Sequence, residues 1–401
     1  MKIVYVTTSL PHGASEAFLI PEINELAKQG HELVVVPFFP RGSIVHRDVL
    51  PLLPLTVVRK LISPGILAAA ACEAARHPMR TMVAAAAILR SRSFSIGFKN
   101  ALTLPKGLWL ARLARRRGAD HIHAHWGGCS STVAMIASTV SGIPWSMTVH
   151  SWELIENNLL RKKTASAVFT RTVSQFGQAR LSRITGLAAP VRVIHLGIEL
   201  PVAPRLAMRT GVRDFRLIVV ANLVEIKGIE FLIEAWKLLE SRGIVLRIDI
   251  FGDGPLKRKL KTLAVRAGAE SYISLHGFIS HDLLMSEISD GHWDAIVLPS
   301  IFADDGQEEG IPICLVEAMA RGLAAIGTQT GGISELLAGG AGLLVPPRDP
   351  GALADAIQLL QSSPQSCFSL QVKGRKKIED EFAISRAVRN LIEQIEVCVP
   401  A

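Results

Sequence analysis

The chain has 401 residues, 49% of them apolar and 20% charged, with a net charge of +9. That is room for two ordinary domains with large cores, and no long segment has the composition of disorder. Trp, Tyr and Phe make up only 5%, which argues against a stacking reader of single-stranded nucleic acid, and no nucleic-acid partner is expected.

Five cysteines (Cys72, Cys129, Cys314, Cys367, Cys398) are scattered and form no CxxC pair. The odd count matches neither a zinc site nor a disulfide framework and points to a reducing compartment. The charge is unevenly placed. Residues 1–200 carry 23 Lys/Arg against 10 Asp/Glu, a net of +13, and residues 201–401 carry 21 against 25, a net of −4. Between Val58 and Gly118 there are 12 basic residues and one acid, Glu73. Such asymmetry suggests that the first half faces something anionic. The opening MKIVYVTTSL is too short an apolar run for a signal peptide and reads as a first strand. No stretch reaches the ~18–20 uncharged apolar residues of a membrane span, so a cytoplasmic protein is expected.

In chain order, the first half alternates the runs KIVYVTT, ELVVVPF, HIHAH, WSMTV and AVFTRT with helical patterns such as EAFLIPEINELAKQG and SSTVAMIASTVSG. In its basic segment, ILAAAACEAARHPMRTMVAAAAILR and KNALTLPKGLWLARLARRRG each read as a helix with apolar and basic faces. These are either packed helices with solvated arginines or a surface resting on anionic lipid. Periodicity is lost over residues 195–205, HLGIELPVAPR. The second half alternates RLIVVANL, LRIDIFG, YISLHG, WDAIVLP and LAAIGT with GIEFLIEAWKLLESRG, PLKRKLKTLAVRAG and PGALADAIQLLQ. This predicts an α/β protein of two doubly wound domains, residues 1–200 and 201–380, and a last helix within 381–401. Ligands of such sheets bind beyond the carboxyl ends of the strands, and the expected site is the cleft between the domains.

The residues just after predicted strands are therefore the informative ones. WDAIVLP is followed by SIFADDGQEEGI and a helix near Pro312, whose free amides suit a phosphate. Glu309 and Glu317 flank that start. Carboxylates do not bind phosphate, but each can accept two hydroxyl hydrogens side by side. A ligand with phosphates and vicinal diols fits both features. Taken alone, the pair also reads as a helix-dipole acid and a solvated face charge. Lys227 in VEIKG stands where an ammonium meets a diphosphate, or where a lysine is simply solvated. Gly252 opens the turn GDGP, a structural signal in its own right. Phe278 and Ile279 follow the strand YISLHG. Gly331 and Gly332 precede a helix and permit close backbone approach to a ligand. Asp304 and Asp305 form a lone acid pair in a loop rather than a metal motif.

The ordered set ANLVEIKG, FGDGP, HGF, EGIPICLVEAMARG, TGGISELL and AGLLVPPRDPGALADAI resembles the nucleotide-binding domain of glycosyltransferase family 4. These are retaining sugar transferases of the GT-B fold, and the likeness is close over residues 215–365; it implies that the last helix, within 381–401, packs back on the first domain. It implies that Glu317 binds the ribose diol and Glu309 the donor-sugar hydroxyls. Lys227 contacts the diphosphate, helped by backbone near Gly310 and Ile311, while Phe278 and Ile279 flank the base. Asn222 and Gly252 complete the donor side. Asn222 departs from the pattern, because the family usually has Arg there; Asn brings no charge, which keeps an inactive member open.

The loop TTSLPHGASEAFLIPEI resembles the first loop of members that build bacterial exopolysaccharide. Gly13, Ala14 and Ser15 are placed to let it approach the donor phosphate, and Glu16 reads as a cap-region charge. His121, His123 and His125 share one face of a strand. Metal binding is disfavoured because no acid or cysteine is near in sequence. The family places a histidine bordering the cleft at this strand end, which points to His125 on the acceptor side. The resemblance also singles out His150, at the end of WSMTVH, as a catalytic residue beside Glu309. Its implied role is to orient the donor sugar and stabilise departing charge.

The resulting expectation is a UDP- or GDP-sugar donor, a saccharide or lipid-linked acceptor, no cofactor and no metal. Peripheral contact with the anionic inner face of the cytoplasmic membrane is expected. A catalytically impaired binding subunit and a nucleotide-sugar epimerase remain as alternatives. A dinucleotide-dependent dehydrogenase is disfavoured because no GxGxxG follows the first strand.

Overall fold

The computed structural model describes residues 1–12, 16–44, 47–187, 190–204, 206–208, 214–304 and 306–398. Gly13, Ala14, Ser15 and Asp305, named above, lie outside the described residues. The chain divides into two compact units, Met1–Gly197 with Ile384–Ala401, and Ile198–Ala383.

Unit 1 begins with β1 (Lys2–Thr7), a 3-10 turn Ala17–Leu19, α1 (Ile20–Lys28) and β2 (Glu32–Pro37). Three helices follow, α2 (Pro64–Arg76), α3 (Pro78–Ile88) and α4 (Phe94–Arg117). Then come β3 (His121–His125), α5 (Cys129–Ser141), β4 (Trp145–Val149), α6 (Ser151–Glu156) and α7 (Leu160–Ser166). The unit's sheet is completed by β5 (Phe169–Thr172), α8 (Gln175–Thr185) and β6 (Val191–Val193). The strands are all parallel, in the order β2-β1-β3-β4-β5-β6. Both faces are covered, so alternate residues serve different cores: Val4 and Val6 pack on one side, Ile3 and Tyr5 on the other.

The stretch expected as one helix over 66–90 is two. Pro78 lacks an N–H and disfavours helical backbone in the residue before it, and His77 accordingly adopts φ −132 and ψ 59. Its neighbour α4 does not keep its basic residues on one solvated face. Lys106 is fully buried and donates from Nζ to the Arg59 carbonyl at 2.7 Å. Burial pushes its pKa down to about 8. Arg115 turns inward to pair with the buried Glu73.

Unit 2 runs β7 (Phe215–Val220), α9 (Ile229–Ser241), β8 (Leu246–Phe251), α10 (Lys257–Arg266), β9 (Ile273–Gly277) and α11 (His281–Ser289). It continues with β10 (Ala295–Leu298), α12 (Ile313–Ala320), β11 (Ala324–Thr328), α13 (Gly331–Leu337), β12 (Leu343–Val345), α14 (Pro350–Ser362) and α15 (Pro364–Glu381). Its strands are also parallel, in the order β12-β11-β10-β7-β8-β9. Pro312 caps α12 rather than starting it. The final helix, α16 (Ile384–Cys398), belongs to unit 1. Its Val388, Leu391, Ile392 and Ile395 form one buried stripe in the same core as Ile3, Tyr5 and Ile23.

Each sheet has one point where successive crossovers go opposite ways: between β1 and β3 in unit 1, and between β7 and β10 in unit 2. Beside the second, the chain leaves β8 through Gly252 at φ 135, and a Cβ there would lie 1.9 Å from the Ala221 carbonyl oxygen. Gly252→Ala is therefore expected to cost about 2 kcal/mol or more. A thermal melt that matched the parent would show that this turn relaxes freely.

Candidate functional site

In unit 2 the two strands at the switch point each deliver one charged side chain. Lys227 ends a 3-10 turn, Glu225–Lys227, after β7, and Glu309 lies in the loop between β10 and α12. Lys227 Nζ meets Glu309 Oε2 at 2.6 Å, and Ser300 Oγ donates to the same oxygen at 3.1 Å. The Glu309 carbonyl accepts the Gly332 N–H at 3.0 Å. Gly331 has φ 43, and a Cβ there would lie 1.9 Å from the Glu309 carbonyl oxygen. The glycine pair expected to admit a ligand is thus pressed against the protein's own loop 309–311, and this shapes the bend holding Glu309, Gly310 and Ile311.

Glu317 sits on α12, one face of which is buried in the unit 2 core. Its Oε1 is 2.7 Å from Nε2 of His281, the first residue of α11. The hydrogen bond to Glu317 holds the His281 imidazole above its ordinary pKa of 6.5, against the opposing effect of burial. Sequence reasoning missed His281. Its place just after the strand end at Gly277 was visible, but its partner lies 36 positions away. Before it, Phe278 is 85% exposed and Ile279 packs half-buried against the unit 2 core. Asn222 is exposed at the exit from β7. Cys314 lies in the first turn of α12, and burial pushes its thiol up to about 12, which excludes a thiolate at neutral pH. Asp304 is exposed and faces Arg348 at 3.7 Å.

Unit 1 gathers a second cluster at its strand ends. His125 is the last residue of β3 and is fully buried; His150 follows β4 and caps α6, its backbone N–H donating to Glu153 Oε2 at 2.7 Å. The two rings meet Nε2 to Nε2 at 2.7 Å. Phe18 and Trp126 pack on the His150 ring, with centroids at 5.9 and 4.5 Å. Burial pushes His121, His123 and His150 down to about 3 and His125 well below its ordinary range, so all four are neutral at physiological pH.

Two sites of this unit have partners that the sequence did not show. The acid that sequence proximity did not supply to the histidines is Glu22, on α1. One ligand atom each from Glu22, His123 and His125 lie within 4.8 Å of one another. The Glu22 carboxylate, however, is held by the buried Arg171 guanidinium at 2.7 Å and by the Tyr5 hydroxyl at 2.6 Å. A fixed guanidinium at that distance opposes a dication. Glu16 stands at the N-cap of the 3-10 turn, as expected, but its side chain does not cap that turn. It is buried, and its carboxylate accepts the N–H groups of Thr8, Ser9 and Leu10 at 2.9, 2.6 and 2.8 Å and Trp126 Nε1–H at 2.6 Å. It therefore anchors the loop that follows β1.

The His281–Glu317 pair sets a pH dependence. A histidine with a raised folded pKa stabilises the fold fully below its unfolded value, near 6.5, and loses that contribution as pH rises through the folded value. For a pair this exposed the effect is within about 1 kcal/mol. The Tm difference between the parent and His281→Ala is expected to be largest below pH 6.5 and to close at alkaline pH. A difference that widened with pH would contradict the pairing.

The chain matches two family models, Glycosyltransferase Family 4 over residues 22–201 and Glycosyl transferases group 1 over residues 210–377. AmsK of Erwinia amylovora, an amylovoran biosynthesis glycosyltransferase, is 27% identical over 99% of both chains. WcaL of Salmonella typhimurium, assigned to colanic acid biosynthesis, is 32% identical, and the chain spans 56% of its length, with 56% of this chain aligned. Among solved structures, Anabaena HepE in complex with UDP shares 19% identity over 99% of this chain and 100% of its own, with a TM-score of 0.71. The two parallel sheets have the GT-B fold, and the chain is a glycosyltransferase that belongs to glycosyltransferase family 4.

Proposed function

We propose that this enzyme moves a sugar from a UDP- or GDP-sugar to a lipid-linked saccharide acceptor, with retention of configuration, in exopolysaccharide assembly. The observation that carries the reading is the pair of carboxylates beside the start of α12, each mostly buried and each held by a basic side chain, Glu309 by Lys227 and Glu317 by His281. Carboxylates fixed in this way suit diols, and helix-start amides suit phosphate. A nucleotide sugar carries both groups. The names of AmsK and WcaL, in amylovoran and colanic acid biosynthesis, support the polysaccharide context.

In this reading Glu317 takes the ribose diol and Glu309 the donor-sugar hydroxyls. Lys227 and the backbone at Gly310 and Ile311 take the diphosphate, and Phe278 and Ile279 flank the base. Asn222 and Gly252 complete the donor side, with Gly13 assigned to the donor phosphate. His125 is assigned to the acceptor side, and His150 orients the donor sugar. The acceptor hydroxyl attacks the anomeric carbon on the face from which the nucleoside diphosphate departs. The bond to phosphate oxygen breaks, the new glycosidic bond forms, and the hydroxyl proton passes to the leaving phosphate. No metal or cofactor is assigned, because Lys227 and the amides carry the diphosphate charge.

The lipid-linked acceptor is supported by the surface of unit 1. Leu89, Phe94 and Phe98 are exposed by 86%, 91% and 58%, among the exposed Arg90, Arg92 and Lys99. Apolar side chains flanked by cations suit the headgroup boundary of an anionic bilayer. No helix of the described residues is long and apolar enough to cross a membrane. In this reading the enzyme works in the cytoplasm, peripheral at the inner face of the membrane.

A thermal-shift panel of UDP, GDP, ADP and their common sugars, with and without EDTA, tests the donor site. One nucleotide is expected to raise Tm regardless of EDTA. Glu317→Ala should abolish that shift, whereas His150→Ala should keep it and lower turnover; equal loss of affinity in both would contradict the assigned roles. For the surface, sedimentation with phosphatidylglycerol-containing vesicles should recover the parent and lose the triple variant Leu89→Ser, Phe94→Ser, Phe98→Ser. Equal recovery of both would remove the membrane assignment.

A further inference from the structure

Four buried side chains of unit 1 stand in a line behind His150, and the donor site as proposed gives them no task. Arg171 donates from Nη1 to Glu22 Oε2 at 2.7 Å, and its Nε and Nη2 donate to the carbonyls of Ile194 and His195, both at 2.8 Å. Its cation is fixed. Tyr5 Oη lies 2.6 Å from Glu22 Oε1 and 3.1 Å from His125 Nδ1. His125 Nε2 lies 2.7 Å from His150 Nε2.

The hydrogens in this line can be placed one by one. Burial alone would raise the Glu22 pKa, but Arg171 and the Tyr5 hydrogen bond outweigh it, and the carboxylate stays ionised. A carboxylate has only lone pairs to offer, so the single Tyr5 hydroxyl hydrogen points to Glu22. The Tyr5 oxygen can then only accept, and His125 Nδ1 must carry a hydrogen. His125 is neutral, which leaves its Nε2 bare. The hydrogen between the two imidazoles therefore belongs to His150 Nε2. His150 is neutral too, and its Nδ1 is left as a lone pair. That nitrogen accepts the backbone N–H of Glu153 in the first turn of α6, as a bare nitrogen can.

We infer that Arg171, Glu22, Tyr5 and His125 are positioning residues that lock His150 in its Nε2–H tautomer. His150 then has no N–H to give to departing phosphate: its Nε2–H is held by His125 and its Nδ1 by the start of α6, so the ring meets the donor sugar only as a fixed surface. The inference rests on the reading that His150 faces the donor. It narrows the role expected from the family resemblance, orientation plus charge stabilisation, to orientation alone. The departing charge is left to Lys227 and the α12 amides. The line also explains why Tyr5 and Glu22, which no strand-end argument would select, share the interior with three histidines.

Ring-nitrogen NMR of the full chain with 15N-labelled histidine, assigned against His150→Gln, reads the tautomer directly. The expected result is a protonated Nε2 and a bare Nδ1 at His150. A hydrogen on Nδ1 in the unaltered protein would overturn the inference. Tyr5→Phe deprives the His125 Nδ1–H of its acceptor and leaves only the Glu153 amide to hold the tautomer, so the His150 ring-nitrogen signals should move toward those of a tautomer mixture; an unchanged His150 signal in a folded Tyr5→Phe protein would also overturn it. For turnover, nucleotide release from UDP-glucose or GDP-mannose, whichever raises Tm, serves as the probe. Tyr5→Phe should lower kcat about tenfold and leave the donor KM within about twofold. If the tautomer is as inferred but His150→Gln keeps full turnover, the donor-facing role of His150 fails while the tautomer assignment stands.

Discussion

Parallel strands cannot be joined by tight turns. Each crossover needs a helix or its equivalent, so every strand of a sheet ends at the same edge and every following helix begins there. Where two crossovers depart in opposite directions, nothing covers that edge. This constraint acts once in each unit. In unit 2 it brings Lys227, from the exit of β7, onto Glu309, from the exit of β10, although the two are 82 positions apart. In unit 1 it brings the loop after β1, tied down by Glu16, onto Trp126 after β3, across 110 positions. Both clusters consist of strand-exit residues because only those residues reach the open edge.

The interior of unit 1 carries a second constraint. A central strand reading HIHAH would be a poor core element if its imidazoles were charged or unpaired. Burial keeps them neutral, and all but one of the ring nitrogens of His121 and His123 are absorbed by neighbours: His121 Nε2 and His123 Nδ1 by Ser146, at 2.7 and 2.8 Å, and His123 Nε2 by Thr148 at 3.1 Å, while His121 Nδ1 is left without a partner. The one buried pair of full charges in this network, Arg171 with Glu22, is satisfied on both sides. Leaving either partner unpaired in such a setting costs about 3–5 kcal/mol. The network is therefore stiff, and stiffness is what a group needs if it is to hold a sugar in one orientation.

How far the sequence could be read follows from the range of each interaction. Ten strands were visible as apolar runs. The three-residue strands β6 and β12 were too short for any period to show. The break at Pro78 was written in the chain, but the unbroken alanine-rich pattern on both sides outweighed it. Glu309 and Glu317 stood out because their spacing is local. Residues whose meaning depends on a distant partner were not legible: Glu22 is 149 positions from Arg171, and His281 is 36 from Glu317. Glu16 was placed correctly at the cap, but its partners were not visible, because an acid beside a helix start looks the same whether it is solvated or ties down three amides. The basic stretch was seen as a whole, but which members turn inward, such as Lys106 and Arg115, depends on packing.

The Lys227–Glu309 pair bears on how a donor would be recognised. The two charges meet at 2.6 Å with side chains only 16% and 13% exposed. Much of the cost of removing them from water is therefore already met before any ligand arrives. A diphosphate offers Lys227 more negative charge than one carboxylate does, and Asn222 brings none of the compensating charge that an arginine would. In the proposed reading the lysine therefore shifts toward the diphosphate. Glu309 keeps the Ser300 hydroxyl on one oxygen and exposes lone pairs that only hydroxyl groups can then fill. Sugar recognition becomes conditional on the diphosphate. A free sugar meets a carboxylate already neutralised by Lys227, whereas the same sugar on a nucleotide meets one released by its own phosphates. Such coupling selects the activated donor over the unactivated sugar without requiring a tighter sugar pocket.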